Sequence, residues 1–374
     1  MSSPPSRLAS LEHPMVFGSF RAWMSLLSHS RGIQPRYLPR ILLVCLSTLA
    51  TSPLRWVERL LYDKAVAATP IHPELIFIIG HWRSGTTHLH NLLAQDANLG
   101  YLTTFQAMAP GLCLVGDSWL KPFLGAIAHR IHPTRLIDNI PLLFDSPQED
   151  EYAIANQSPF SHVHLFTFPQ QAIELVERYA MFQGLPEEAL LDWRQLYLGS
   201  LRKASFKAGG RRLVLKNPAH CGRLKEVLAL FPEARFIHIY RNPYQVFQSM
   251  RFTYRAVLPY AQVQEIDAEQ VDACILHTYT RLMRQFLADK SLIPPGNLIE
   301  VRFEDLETDP LGILKGIYQA LRLPGFEQAL PAFRAYLASV ADYQKNRYEI
   351  DGKTVAVVNQ HWDFALQAWG YPKV

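Results

Sequence analysis

Short unbroken apolar runs alternate with amphipathic stretches along most of this chain. "ELIFIIG" at 74–80 is one such run, rich in isoleucine and closed by a glycine, and "TTHLHNLLAQD" after it carries apolar residues at helical spacing. A run without polar alternation predicts a strand buried on both faces, as in a parallel sheet. The order recurs: "RRLVLK" at 211–216 leads through a Pro-containing loop into "CGRLKEVLALF", and "ARFIHIYR" at 234–241 leads through "NP" into "YQVFQSMRFTYRAV". "NLIEVRFEDL" supplies a further strand, with a helix from Asp309 or Pro310. Strand–loop–helix units in series predict a three-layer α/β fold, with a central parallel sheet between helices.

Two stretches depart from that order. Residues 1–70 read as mostly helical and apolar, broken by Pro35, Pro39 and Pro53, and form a helical N-terminal extension to an α/β domain over 71–374. Within that domain, about 107–210 reads as a helical insertion on the substrate side. The longest uncharged stretch near the start, "ILLVCLSTLATSPL", lies between Arg40 and Arg55. It is shorter than the roughly 18–20 residues a bilayer requires. It reads as a buried helix or, with its flanking arginines, as a surface that rests on a membrane or admits an apolar substrate.

Composition changes this picture little. With 49% hydrophobic and 19% charged residues among 374, the chain can bury a substantial core. A formal net charge of +4 is too small to argue for a nucleic-acid partner, but suits a few cations gathered around an anionic ligand. Cys45, Cys113, Cys221 and Cys274 are dispersed, with no metal-ligand spacing, as expected of thiols in a reducing compartment. The N-terminus lacks the basic region, apolar core and cleavage site of a secretory signal, so a cytoplasmic protein, at most peripheral to a membrane, is expected.

In a parallel sheet, ligands bind beyond the carboxyl ends of the strands. The loops to examine are therefore those after each apolar run. "GHWRSGTT" has four residues between Gly80 and Gly85. Such a turn aims backbone N–H groups and a helix N-terminus inward, while Ser84, Thr86 and Thr87 add hydroxyls. This is a P-loop-like anion site. A nucleotide triphosphatase would place lysine after the second glycine and use the next hydroxyl for magnesium. Here Thr86 stands in that place and the cation is Arg83, inside the loop. A compact 5′ anion handled without metal fits better. In "YRNPYQVFQSM" Arg241 ends a strand and Ser249 lies eight residues on, within reach of the same ligand.

These two motifs in this order closely resemble those of sulfotransferases, which use 3′-phosphoadenosine 5′-phosphosulfate. "LVLKNPAHCGRL", "DSPQEDE" and "VRFEDLETDP" are similar to the bacterial type. The resemblance covers about 75–321. It implies that the 83–87 loop (Arg83, Ser84, Gly85, Thr86, Thr87) holds the phosphosulfate and that Arg241 and Ser249 hold the 3′-phosphate. His88 stands where an aromatic stacks on adenine in the family, and Lys345 lies in a segment similar to the one that closes over the nucleotide. Lys216, at a strand end facing the ligand edge, and Arg83 in the loop are suited to stabilise charge on the transferring group and on the leaving nucleotide. The general base stays open. "DSPQEDEYA" offers Glu149 first and Glu151 second, while His220, four residues after Lys216, is a rival because family members use either Glu or His.

The expected reaction is sulfuryl transfer to the hydroxyl of an alcohol, lipid or sugar, without metal. A P-loop nucleotide kinase or hydrolase and a non-catalytic nucleotide-binding interaction protein are the alternatives. The acceptor and the oligomeric state are not legible in the sequence.

Overall fold

The computed structural model describes residues 13–131, 134, 137, 143–341 and 348–374. Lys345 lies outside the described residues. Three N-terminal helices come first: α1 (Phe20–Ser28), α2 (Leu38–Ala50) and α3 (Ser52–Ala67). Strand β1 (Ile76–Ile79) leads into α4 (Thr86–Leu93) and a two-residue strand, β2 (Leu99–Gly100). A helical stretch follows, with α5 (Thr104–Met108), α6 (Leu120–Ile131), α7 (Glu151–Ala155), α8 (Ala172–Tyr179) and α9 (Glu187–Lys207). The chain returns to the sheet through β3 (Arg212–Lys216), α10 (Leu224–Leu230) and β4 (Arg235–Tyr240), then α11 (Pro243–Ala261) and α12 (Ala268–Asp289). It closes with β5 (Leu298–Arg302), α13 (Phe303–Thr308), α14 (Pro310–Ala320), α15 (Phe326–Ser339), α16 (Gly352–His361) and α17 (Asp363–Ala368).

The five strands lie in the order β2-β3-β1-β4-β5, all parallel. β1 is central, pairing Ile76 with Val214 on one side and with Arg235 on the other. Its four residues are fully buried because alternate side chains enter different cores. Ile76 and Ile78 pack with Leu89 and Leu92 of α4 and with Leu314 and Ile317 of α14. Phe77 and Ile79 face the larger core formed by α7, α9, α11 and α12. That two-sided burial is why the strand shows no polar alternation. The four sequence-predicted strands are present, and the parallel three-layer architecture is confirmed. β2 was not expected, since two residues carry no periodicity.

The N-terminal helices attach through polar pins as well as packing. Arg40 is buried and donates to the carbonyls of Pro259 and Gln262, each at 2.5 Å. Glu58 is buried on α3 and accepts from the N–H of Leu114 at 2.8 Å and from Lys203 at 2.5 Å. The reading of "ILLVCLSTLATSPL" as a buried helix is overturned. Leu42, Leu46 and Leu49 are each more than half exposed, at 58%, 56% and 55%. The helix turns its one charged residue inward and its leucines outward.

Candidate active site

The chain leaves β1 at Gly80, whose φ of 136° and closeness to β4 exclude a side chain: a Cβ there would lie 2.1 Å from the Ile239 carbonyl oxygen. Gly85, at φ 93°, caps the N-terminus of α4 with the Phe303 ring against it. Between them Arg83 adopts φ 69°, a left-handed conformation uncommon outside glycine and frequent at binding loops. The turn is therefore built into a shape that local preference opposes. Its first helical N–H groups, beginning at Thr86, have no carbonyl one turn earlier within the helix.

Around this loop the distant motifs meet. Arg83 Nε donates to Ser249 Oγ at 2.9 Å, across 166 residues of sequence, and Arg83 Nη2 donates to the Ile137 carbonyl at 3.3 Å. Arg241 Nη1 donates to the Arg83 carbonyl at 3.1 Å, and its guanidinium lies 4.4 Å over the Phe303 ring. Ser249 Oγ donates to the Tyr348 hydroxyl at 3.2 Å. Burial is the main influence lowering the Arg241 pKa, and the nearby Arg83 charge acts in the same direction. An anion placed here would offset both effects, so these residues fit a phosphorylated ligand. Glu304, at the start of α13, accepts from the Asn242 N–H at 3.1 Å and fixes the loop after β4.

Lys216 ends β3 opposite Ile78 of β1 and is only 4% exposed. Its Nζ donates to Glu149 Oε2 at 2.8 Å, while Trp82 Nε1 donates to Glu149 Oε1 at 3.2 Å. Loop, strand-end lysine and candidate carboxylate thus touch one another. All three line a cavity that also borders Thr86 and Thr87. Its lining also includes apolar Leu165, Phe166, Met250, Val257 and Ile275 with Tyr254, and the polar side chains of Gln148, His162, Thr253 and Thr278.

Two of the sequence-predicted bases are not on this wall. Glu151 is fully buried behind it, ion-paired with Arg223 and accepting from Asn217 at 3.0 Å and Ser161 at 2.8 Å. Burial alone would raise its pKa, but the Arg223 guanidinium outweighs burial and holds it well below the usual carboxylate range. His220 is also fully buried, between the Tyr197 hydroxyl at 2.9 Å and Arg223 Nε at 3.1 Å. Desolvation, reinforced by Arg223, pushes its pKa well below the ordinary imidazole value. Both side chains are spent on a buried network that also holds Asp150, which Tyr197 and Asn217 reach at 2.8 and 2.6 Å. They support the wall rather than face the cavity. Desolvation lifts Asp150 to about 7.

His88 sits half-buried on α4 and does not line this cavity. Ser84 is buried in the turn, and its N–H donates to the His81 carbonyl at 3.2 Å. Sequence reasoning missed Trp82, which orients Glu149, and His162, a buried cavity-wall residue whose ring stands 5.2 Å from the Trp82 ring. His162 Nδ1 approaches Glu151 Oε1 at 3.4 Å. "SHVHLF" carries no spacing that singles it out; only the fold brings it to Glu149. Among the described residues no group of three or more His, Cys, Asp or Glu is arranged to hold a metal ion.

Comparison with known proteins agrees with this geometry. A model of the sulfotransferase family matches residues 73–328. The chain is 33% identical over 375 aligned residues to the omega-hydroxy-beta-dihydromenaquinone-9 sulfotransferase Stf3 of Mycobacterium bovis, covering 100% of this chain and 95% of that protein. The protein of the same name from Mycobacterium tuberculosis matches equally. Among solved structures, sulfotransferase STF9 from Mycobacterium avium superimposes with a TM-score of 0.73 at 18% identity, covering 94% of this chain and 90% of that one. Sulfotransferase STF1 from Mycobacterium tuberculosis gives 0.69 at 20% identity, with 91% of each chain covered.

Proposed function

The chain belongs to the sulfotransferase family, and on that footing we propose that it moves a sulfuryl group from 3′-phosphoadenosine 5′-phosphosulfate to the hydroxyl of an apolar, lipid-like alcohol. One piece of geometry carries the proposal. The Lys216–Glu149 pair lines one cavity together with Arg83 of the anion site and a set of apolar side chains. Those apolar side chains favour a lipid alcohol over a sugar, whose hydroxyls they would leave without partners. The name of the Mycobacterium bovis relative, a sulfotransferase of an omega-hydroxylated menaquinone, supports the same acceptor class.

The donor supplies an activated sulfuryl group, and every other task falls to the chain. The N–H groups and hydroxyls of residues 83–87 would hold its 5′ end, and Arg241 with Ser249 its 3′-phosphate. His88 and Lys345 remain proposed nucleotide contacts. As the acceptor oxygen bonds to sulfur, the bond from sulfur to the 5′-phosphate oxygen breaks. Glu149 Oε2 takes the acceptor proton, with Trp82 keeping that carboxylate aimed at the cavity. Lys216, now paired to Glu149, is placed to turn toward the charge that develops on the leaving group. Fixed cations and positioning supply the rate enhancement, with no metal in the scheme.

Calorimetric binding of adenosine 3′,5′-bisphosphate and of ATP, each with and without magnesium, tests the donor. Tight, magnesium-independent binding of the bisphosphate alone is expected. Magnesium-dependent ATP binding in its place would favour a nucleotide kinase or hydrolase. Bisphosphate binding with no transfer to any long-chain alcohol would favour a non-catalytic nucleotide-binding protein.

A further inference from the structure

Large apolar side chains are scattered singly over most soluble surfaces, but not here. Of the nineteen exposed large apolar residues among those described, eleven lie on α2, on α3, or on and just before α6. On α2 the stripe is Leu38, Leu42, Leu46 and Leu49, each more than half exposed, and every exposed position of that helix is apolar. Trp56 and Leu60 continue it on α3, both 65% exposed. Phe123 and Ile127 face outward from α6, 61% and 40% exposed. α3 and α6 contribute to one small core, which holds Val66 and Leu120 with Tyr62 and Leu124 packed against it.

We propose that this face docks the enzyme onto the surface of an anionic lipid bilayer, lying in the interface without crossing it. Pro35–Ala67 is long and apolar enough to span a membrane, but its inner face is committed to the protein. Arg40 and Glu58 are pinned by buried hydrogen bonds, and Val44 and Val66 are packed in cores. Withdrawing the segment into hydrocarbon would strand those charges. Lying flat exposes nothing new and buries the leucines.

Charge complementarity selects the occupant. Arg59 and Lys64 are exposed on α3, and Arg130 is exposed one turn past Ile127; of the exposed acids near them, Asp63 lies on α3 and Asp145 is neutralised by Lys121 of α6. Cations at the rim of an apolar face suit anionic headgroups. A second protein surface would require polar partners within the contact, and the exposed side of α2 offers no side-chain donor or acceptor. The face is also close to the site: cavity-lining Ile137 lies six positions beyond Ile131 at the end of α6, at most about 20 Å of chain. A membrane-dissolved alcohol would meet the cavity near the plane of the bilayer.

Flotation with vesicles of phosphatidylcholine alone, or of phosphatidylcholine with phosphatidylglycerol, tests this. The full-length protein is expected to float with the mixed vesicles and to be released by salt. Leu42→Ser with Leu46→Ser should weaken partitioning about tenfold or more. Arg59→Glu with Lys64→Glu should remove the preference for anionic lipid. Both variants should bind adenosine 3′,5′-bisphosphate as the parent does, so a failure of docking and a failure of the sulfotransfer reading show up separately. Flotation unchanged in the leucine variant would overturn the proposal. So would the absence of vesicle binding, or a solution dimer that the same substitutions dissociate, which would assign the face to a second copy.

Discussion

Arg83 serves two neighbours at once, donating from its side chain to Ser249 and accepting at its carbonyl from Arg241. Loss of the Arg241 guanidinium should therefore act on 3′-phosphorylated nucleotides above all. Arg241→Ala is expected to weaken adenosine 3′,5′-bisphosphate by about 10- to 100-fold, the range of a charge-assisted hydrogen bond. Adenosine 5′-phosphate should change little, and calorimetry with both ligands reads the difference. Glu149→Gln keeps the shape and one acceptor oxygen, for Trp82 or for Lys216 but not both, and cannot take a proton. It should bind bisphosphate normally while kcat falls about 10²–10⁴-fold. Full activity in that variant would move the base to another cavity-lining group, His162 first.

At the scale of elements, the turn from β1 to α4 and the network behind α7 carry different loads. Gly85→Ala would set a Cβ 2.2 Å from the Phe303 ring at a φ of 93°, so the turn or α13 must shift. A loss of about 1–3 kcal/mol in urea unfolding is expected, together with lost bisphosphate binding. The network should show itself in pH. Desolvation raises Asp150 from 3.8 to about 7, so folding favours its neutral form. That contribution is complete below about pH 4 and is lost as pH rises through about 7. Glu151 is shifted to lower pH, while His220, held neutral in the fold, pulls the other way, its contribution rising with pH until the unfolded imidazole titrates near 6.5. The stability difference between the parent and Asp150→Asn should thus change between about pH 4 and 7 and level off above, as melting temperatures of the two across that range would show. Strand ends and the phosphate turn were legible in the sequence because apolar runs and glycines are local signals. The division of labour among Glu149, Asp150 and Glu151 was not, since adjacent acids at the start of one short helix face a cavity, a tyrosine and an arginine brought in from elsewhere.

Across the whole molecule, the three-layer sheet could be read from four apolar runs, whereas the outward leucines of α2 could not. An amphipathic pattern reports that a helix has two faces without saying which one the protein covers. Here Arg40 decides it, through carbonyls of Pro259 and Gln262 more than two hundred residues away. β1, the strand that launches the phosphate turn, is in a comparable position. Ile76 finds its partners at Val214 and Arg235, 138 and 159 residues downstream. Closing loops of that length costs entropy before any contact rewards it, so central pairing should come late in folding. A chain emerging from the ribosome would therefore expose its leucine helices long before it could grip a nucleotide. In refolding experiments, helical signal should return first and bisphosphate binding last.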